Sequence, residues 1–523
     1  MSAGQPETLR QRDLESHKRA FAASNTHGQE LLDFLRRGEV GVWRVERDDL
    51  DGARWWLNVQ LPPGARELFD LPMELLLVHV ERYSRVEPRL LEEIQRRLRD
   101  NPRLEEGFAI VVSNDPGFKT TARRKRGQLA LIDLQVTDLN DRTRGLREHL
   151  ADVLVTLDHF RMTVPVKESA GFFGRGSDIG EISAALNRGQ SVGVFGLRKA
   201  GKTSLLYELS SRRRQLGRVV ADLDLSTIID NGAYEFRVRL VSALRRALGD
   251  SHCEVPRLRL LSAAGDVRRE ADDQFVHRNW FRDVESVVEA APGRIELFVD
   301  EVDQVYPPRS LMSPVDAESV YRAMIQLRGL LQQSGPEAGI TLACFGVDPA
   351  LFEVPIIDGR DNLLYKLVRL HWLAPMPRDE MNEMLRNLGK RMGVRFTDNS
   401  PIDTLFGFTG GHPLLARMAC SQAVRAVSDR AIPFYIDASS IEKTFSKSGQ
   451  DTVRSQVADV MESFQAWFPE EADLTSLLVT GDRDDRALAE AEIDGDVTKV
   501  EHAIAYGLLG PDLEVRIKAL RLL

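Results

Sequence analysis

The chain has 523 residues, 43% hydrophobic and 28% charged, and it carries a formal net charge of −9. Single hydrophobic cores stop growing near about 250–300 residues, so this length predicts three or four domains. The apolar content excludes a globally disordered chain, and the acidic balance argues against a protein that coats nucleic acid with its whole surface.

The cysteines and the apolar runs predict where the protein works. Cys253, Cys344 and Cys420 are far apart and lack metal-ligand spacing, so we expect reduced core thiols. No apolar run approaches the roughly 20 residues that cross a bilayer, and the polar N-terminus lacks the apolar segment of a signal peptide. We therefore expect a cytoplasmic protein with no membrane partner.

The first 165 residues predict a small α/β module. Its predicted elements are a charged helix at 5–37, strands at 40–45, 55–59 and 74–80, a helix at 87–98, strands at 108–113 and 128–136, and a helix at 143–160. A basic cluster from Arg123 to Arg126 falls on a predicted loop, where a solvated loop is the commoner explanation. Asp70, Glu74 and Glu81 could be nuclease carboxylates, but no lysine stands at the matching position of the next strand. We therefore do not favour a nuclease.

From residue 172 onward, strands alternate with helices, which predicts a doubly wound parallel sheet with helices on both faces. The predicted strands are 191–195, 219–225, 295–299 and 340–345, and the main predicted helices are 203–215, 233–248 and 317–333. Residues 377–445 are predicted to be helical. Residues 446–523 are predicted to form helices that end in a short hairpin.

The loop after the first of these strands carries the sharpest motif. The eight residues that begin at Gly196, G-L-R-K-A-G-K-T, match the phosphate-binding pattern G-x-x-x-x-G-K-[ST] at every position. Gly196 and Gly201 allow backbone N–H groups to wrap a β-phosphate, and Lys202 neutralises β- and γ-phosphate oxygens. Thr203 offers its hydroxyl to Mg²⁺, and the cradle extends to Ser204 at the helix N-terminus. This motif predicts a site for ATP or ADP with Mg²⁺.

A second apolar strand ends in acids. The run I-E-L-F-V is followed by Asp300 and Glu301, which places both acids at the carboxyl edge of the sheet, where ligands bind. We expect Asp300 to hold Mg²⁺ through water, and Glu301 to orient and deprotonate the attacking water in ATP hydrolysis. Asp303 is expected to be a structural loop acid.

Three further segments resemble the STAND ATPases, which are AAA+-related signalling ATPases. Residues 172–175, F-F-G-R, resemble the F-x-G-R start of that class. Residues 409–415, T-G-G-H-P-L-L, resemble its G-x-P motif in the style of the archaeal-type ATPase branch. Residues 373–376, L-A-P-M, lie where that branch joins its last strand to the lid. The resemblance covers residues 172–445, extends less closely over 446–523, and does not cover 1–165.

The resemblance implies further roles. Phe173, Gly174 and Arg175 would pack near the adenine, and Pro413 would close over the base from a helical lid and couple the lid to the nucleotide. The same turn could also be a helix stop followed by a proline in a first helical turn. The class usually has a polar or basic sensor after the strand at 340–345, where this chain has Asp348. An acid cannot stabilise γ-phosphate charge as a cation would, so we expect slow turnover.

The last 78 residues resemble a winged helix, the usual neighbour of such ATPases. Helices are predicted at 453–466, 475–478, 486–492 and 497–506, with a wing at 508–516. The candidate recognition helix carries Asp494, Asp496, Lys499 and Glu501, which would repel phosphates. DNA is therefore a partner that we do not favour, and we expect the domain to pack and switch.

The predicted organisation is an N-terminal α/β module (1–165), a P-loop NTPase core (166–376), a helical lid (377–445) and a winged-helix-like domain (446–523). The predicted function is an ATP-hydrolysing signal-transduction switch. By resemblance it would serve defence or regulation, through a protein partner or self-association. One alternative is a DNA-directed AAA+-like ATPase that uses its winged helix. The other is an ATPase that controls an N-terminal effector enzyme, which requires a cluster of acids or a nucleophile on strands 74–80 and 108–113.

Overall fold

The structure is a computed structural model. It describes residues 9–48, 54–64, 66, 74–80, 85–87, 89–118, 130–141, 145–146, 149–150, 158–161, 172–228, 231–310, 312–332, 339–427, 433–446 and 450–523. The basic cluster at 123–126, Asp70, Glu81 and most of the predicted helix at 143–160 lie outside these residues. No helix within the described ranges is long and apolar enough to cross a membrane.

The chain divides into two compact units. The first contains residues 1–164, 382–402 and 417–444, and the second contains 165–381, 403–416 and 445–523. The boundaries at 382, 403 and 417 fall inside three helices of the segment predicted to be a lid, so each unit includes part of that segment.

The first unit is built on a five-stranded mixed sheet in the order β1-β2-β3-β4-β5. β1, β2 and β3 pair antiparallel, whereas β3, β4 and β5 pair parallel. Successive side chains of a strand point to opposite faces, and Trp55 and Trp56 accordingly enter two different hydrophobic clusters. Its elements are α1 (Leu9–Ser24), α2 (Gly28–Arg37), β1 (Gly41–Arg47), β2 (Trp55–Gln60), β3 (Glu74–His79), α3 (Arg89–Asp100), β4 (Leu104–Ser113) and β5 (Ala130–Gln135).

The second unit is built on a five-stranded sheet in the order β12-β6-β9-β8-β7, and all of its strands are parallel. This confirms the predicted parallel sheet and adds one edge strand, β12, that was not predicted. Its elements are α4 (Gly176–Asn187), β6 (Val192–Phe195), α5 (Lys202–Gln215), β7 (Val219–Asp224), α6 (Gly232–Asp250), α7 (Asp273–Ala290), β8 (Ile295–Asp300), α8 (Pro314–Leu331), β9 (Ile340–Gly346), α9 (Ala350–Glu353), β10 (Ile356–Ile357), β11 (Arg360–Asp361) and β12 (Arg369–Trp372).

A buried ion pair joins α5 to β8 near the amino end of that strand. Arg213 is 1% exposed and Glu296 is 4% exposed. The Arg213 guanidinium donates to both carboxylate oxygens of Glu296 and also donates to the side-chain oxygen of Asn187 at 2.8 Å. Because both charges have partners, burying them does not leave an orphan polar group in the core.

The segment predicted to be a helical lid also contains two short strands. β13 (Val394–Phe396) pairs parallel with β14 (Phe434–Ile436), and both strands belong to the first unit. Each strand has three residues, which is too short to give a periodic signal in the sequence. The helices are α10 (Arg378–Arg391), α11 (Ser400–Thr409), α12 (Pro413–Ala426) and α13 (Ala438–Thr444).

The C-terminal residues form a run of helices and a short antiparallel bridge, all within the second unit. The bridge joins Leu509 to Val515, inside the predicted wing at 508–516. The elements are α14 (Gln450–Trp467), α15 (Pro469–Thr480), α16 (Arg483–Ile493), a 3-10 turn (Val497–Val500), α17 (Glu501–Ala505) and a second 3-10 turn (Lys518–Leu522).

Candidate nucleotide site

The glycine loop connects β6 to α5 at the carboxyl edge of the parallel sheet. Lys199 and Gly201 have left-handed backbones, with φ of 62° and 101°. Left-handed residues in a tight turn direct successive N–H groups into one concavity, which suits an anion. Gly196 is required by close packing, because a Cβ at this position would lie 2.8 Å from the Leu373 carbonyl oxygen.

Lys202 is held on the carbonyl groups of its own loop. Its Nζ donates to the oxygens of Gly196 at 2.9 Å and Leu197 at 3.0 Å. Burial lowers the pKa of Lys202, and the negative charges of Glu301, Asp303 and Asp300 oppose that shift. A phosphate oxygen is a stronger acceptor than a carbonyl, so a nucleotide would draw the ammonium group forward.

The two residues predicted to bind magnesium lie together. Burial raises the pKa of Asp300 to about 6, while a hydrogen bond with the Thr203 side chain opposes the rise. A carboxylate and a hydroxyl are oxygen ligands that suit Mg²⁺, which usually keeps several waters and takes substrate phosphates as further ligands. The described residues contain no cluster of three or more histidine, cysteine or acidic side chains that could hold a metal unaided. The pair therefore fits a metal that is shared with a nucleotide.

Glu301 follows directly at the end of β8. Its backbone is left-handed, with φ of 54°, and its side chain is half-buried. A non-glycine residue in this conformation is strained and persists only where its surroundings enforce it, a condition that is common at functional sites. Its charge is the strongest acidic influence on Lys202. The predicted base thus stands beside the predicted phosphate-binding lysine.

The F-x-G-R segment contacts the rear of the loop. Arg175 is 6% exposed, and its guanidinium donates to the carbonyl oxygens of Ala374 at 2.6 Å and Ala200 at 3.1 Å. Arg175 therefore connects the glycine loop to the residues that follow β12. The adenine contact suggested for Phe173, Gly174 and Arg175 stays a prediction.

The turn before α12 also reaches the loop. Gly411, with φ of 85°, accepts a hydrogen bond from the Met376 backbone at 2.9 Å. His412 is fully buried, and its Nε2 lies 3.3 Å from the Arg198 carbonyl oxygen. Burial lowers the pKa of His412 to about 4, so the ring is neutral and can donate to that oxygen. Pro413 begins α12 from this turn, while its contact with the base stays a prediction.

A C-terminal helix contacts the opposite side of the loop. Lys199 donates to the Gln456 side-chain oxygen at 3.2 Å, and its ammonium lies 3.6 Å from an oxygen of Asp459. Both acceptors belong to α14. This contact could not be predicted from the sequence, because Lys199 occupies a variable position of the glycine motif.

The end of β9 is anchored to the same C-terminal region. Asp348, the candidate sensor, is 2% exposed and pairs with Arg309 at 3.1 Å. Arg309 also donates to the Trp467 carbonyl oxygen, and the Tyr506 hydroxyl donates to the Val347 carbonyl oxygen. Asp348 is therefore paired with Arg309, which also contacts α14.

His502 makes a third C-terminal anchor. Its two ring nitrogens face Glu471 at 2.5 Å and Glu353 at 3.2 Å. Burial alone would lower the pKa of His502, but the hydrogen bonds to Glu353 and Glu471 raise it to about 9. The ring is thus charged near neutral pH and bridges α15 to α9.

Asp303 was expected to be a structural loop acid, and that role stays a prediction. It lies in the 3-10 turn Val302–Val305, directly after Glu301, and it is 1% exposed. Neither carboxylate oxygen has a side-chain partner, and the backbone N–H groups of Asp303 and Val347 lie near it.

The sequence matches no protein-family model and no curated relative. Among solved structures, a Walker-type ATPase of Pyrococcus abyssi is similar over 70% of this chain and 99% of its own, with 14% identity and a TM-score of 0.47. Cdc6p of Pyrobaculum aerophilum is similar over 67% of this chain and 90% of its own, with 12% identity and a TM-score of 0.32. A mutant of RuvB from Thermotoga maritima is similar over 66% of this chain and 92% of its own, with 12% identity and a TM-score of 0.31.

Sequence identities of 12–14% do not show the activity of this chain. The class of the protein follows instead from the residues of its own site. A parallel sheet carries a strand, a glycine loop and a helix with every residue of the phosphate-binding motif. Two acids end β8, which is separated from β6 by one strand. This combination defines a P-loop nucleotide-binding fold.

Proposed function

We propose that this protein is an ATP-hydrolysing molecular switch of the STAND class, in which bound nucleotide controls the C-terminal residues 446–523. The observation that supports the switch is the direct contact of the glycine loop with α14, through Lys199 and the side chains of Gln456 and Asp459. If the loop closes on a bound phosphate, Lys199 moves with it and its contact with α14 changes.

The residues of the site supply each part of ATP hydrolysis. Lys202 leaves the carbonyl oxygens of its loop and binds the β- and γ-phosphates. Thr203 and Asp300 would hold Mg²⁺, which would supply charge neutralisation at the phosphates when bound. Glu301 accepts a proton from water as the water oxygen bonds to the γ-phosphorus. The bond from that phosphorus to the β-γ bridging oxygen breaks, which gives ADP and phosphate.

The contacts around the loop are suited to a switch because they are weak and numerous. Lys199 and Asp459 are exposed by 32% and 42%, and exposed pairs of this kind contribute about 0.2–1 kcal/mol. His412 supplies a second link, from the turn that precedes Pro413. A nucleotide shifts the equilibrium only by its differential contacts with the two states, so weak links respond to the presence of a γ-phosphate.

The ATPase assignment is tested by two variants. Lys202→Ala should abolish ATP binding, since the loop keeps its shape but loses the charge that faces the phosphates. Glu301→Gln should bind Mg-ATP normally and turn over about 10²- to 10⁴-fold more slowly, because the positioned base is gone. Undiminished ATP affinity in a folded Lys202→Ala protein would exclude this site.

The switch is tested by small-angle scattering and native mass, with ADP and with a non-hydrolysable ATP analogue. The two forms should differ in the position of 446–523 or in self-association. Pro413→Ala should reduce that difference more than it reduces ATP affinity, since Lys202 and Thr203 still bind the phosphates. Identical shape and mass in both forms would contradict a nucleotide-driven switch.

The structure offers little support for the two alternatives. One face of the candidate DNA-reading segment packs on the ATPase core through His502 and Tyr506. Its exposed face carries the acids Asp494, Asp496 and Glu501, which would repel phosphates. For the effector enzyme, the described parts of β3 and β4 hold no cluster of metal-binding side chains. A salt-sensitive affinity for duplex DNA would favour the first alternative over the switch.

A further inference from the structure

The end of β9 lacks a side chain, and a neighbouring carboxylate fills the space. A Cβ placed on Gly346 would lie 2.5 Å from Oδ1 of Asp303 and 3.3 Å from the ring of Phe195. Phe195 is the last residue of β6, and Gly346 accepts a hydrogen bond from the backbone of Gly196 at 3.4 Å. The Asp303 carboxylate therefore lies beneath the start of the glycine loop, where β6 and β9 end.

This carboxylate is buried without a partner. The backbone N–H groups of Asp303 and Val347 lie nearby and lower its pKa in part, but neither reaches the distance and angle of a full hydrogen bond. Burial, and then the charge of Glu301, raise the pKa of Asp303 to about 7. The cation that acts on it, Lys202, donates to Gly196 and Leu197 instead. Buried polar groups nearly always have hydrogen-bond partners. We therefore expect the donor for the Asp303 carboxylate to enter the site together with the ligand.

Three groups near a bound Mg-ATP could satisfy it, and two of them would be engaged elsewhere. The metal would be held by Asp300, whose side chain hydrogen-bonds Thr203. The side chain of Lys202 would bind the phosphates. The attacking water stays available, and it carries two hydrogens of which Glu301 takes only one.

We propose that Asp303 accepts the second hydrogen of the attacking water and so fixes its orientation beside Glu301. The proposal rests on the ATPase function proposed above. One O–H of the water points to Glu301, which removes that proton, and the other points to Asp303, which retains it as a hydrogen bond. One of the two lone pairs of the water oxygen forms the new bond to the γ-phosphorus, and the bond from that phosphorus to the β-γ bridging oxygen breaks, so that this oxygen leaves with ADP. Glu301 moves the proton, and Asp303 positions the water.

Asp303→Asn is the central test, since it keeps the shape and removes the charge. ATP affinity should stay within about twofold, kcat should fall by about 10-fold or more, and KM should change little, because only the reacting water loses an acceptor. The melting temperature of the nucleotide-free protein should rise, because an unpaired buried charge is gone. A merely structural acid would give the opposite result, with a lower melting temperature.

Gly346→Ala gives an independent route to the same loss. Its methyl group would displace the Asp303 carboxylate, so kcat should fall while Lys202 still binds the phosphates. Asp473→Asn is the control, an exposed acid of α15 for which the described residues show no contact to the glycine loop or to β8, and it should leave kcat and KM unchanged. If Gly346→Ala does not fold, Asp303→Asn decides alone.

The outcomes separate this inference from the function on which it rests. If ATP turnover falls in Glu301→Gln but stays at the wild-type level in Asp303→Asn, the role of Asp303 is overturned. The ATPase function is then left intact. No ATP turnover by the wild-type protein overturns the proposed function and this inference with it. A selective loss of kcat in Asp303→Asn, together with a raised melting temperature, supports both.

Discussion

The buried charges at the two ends of β8 differ in whether they have partners. Near the amino end, Glu296 is enclosed with Arg213, and the guanidinium satisfies both of its oxygens. At the carboxyl end, Asp300 and Asp303 are buried too, but burial raises both of their pKa values and Asp303 has no hydrogen-bond partner. One strand thus separates a charge that is paired within the fold from the charges for which we propose a ligand. Perturbed acids of the second kind cluster at functional sites because function needs them there, at a cost in stability.

Breaking the buried ion pair between Arg213 and Glu296 should have the largest effect on stability. Arg213→Ala leaves Glu296 buried without a partner, so the free energy of unfolding should fall by about 3–5 kcal/mol, measured by urea denaturation. Arg322→Ala is the control, since it removes an arginine that is 65% exposed from its pair with Glu318, and it should change stability by less than about 0.5 kcal/mol. Similar losses in both variants would mean that burial does not distinguish the two pairs.

Removing the unpaired charge of Asp303 should change the free energy of unfolding by a smaller amount. The change should have the opposite sign and should depend on pH. An unfolded aspartate titrates near 3.9, and folded Asp303 titrates at about 7. Between these values the folded state retains a proton that the unfolded state has lost, so this group lowers the free energy of unfolding as pH rises from about 4 to 7.

Asp303→Asn removes that penalty. At pH 8 the variant should be more stable than the wild type by about 1–3 kcal/mol, and at pH 4 the difference should vanish. Urea denaturation at both pH values measures this. A stabilisation that is equal at pH 4 and pH 8 would show that the gain comes from packing rather than from the charge.

The smallest effect is expected where charge is exposed at the same edge. Asp459→Asn breaks the pair with Lys199, and the free energy of unfolding should fall by about 0.2–1 kcal/mol, less at 1 M salt than at 0.1 M. Glu462→Gln on the same helix is the control, an exposed acid that has no ion pair among the described residues. A loss above about 2 kcal/mol would mean that the contact is too strong for a switch.

The sequence predicted the parts of the site whose chemistry is local. The glycine motif and the acids that end β8 are continuous in the chain, and the apolar strands beneath them predict a parallel sheet. β12 was missed because Arg369 and His371 interrupt its apolar pattern, and an edge strand does not need that pattern. The isolation of Asp303 could not be predicted either, since it depends on Gly346 of a different strand.

The order of the sheet has a consequence for how the protein is made. Among the described strands, β6, which precedes the glycine loop, pairs with β9 and β12, and β9 begins 145 residues after β6 ends. At about 5–20 residues per second, the ribosome needs roughly 7–30 s to deliver that first partner. β7 and β8 can pair earlier. In the nascent chain, β6 therefore stays unpaired for longer than β7 and β8, directly before the glycine loop. A nascent chain stopped before residue 340 should therefore be unable to capture ATP, and one released after residue 372 should gain that ability.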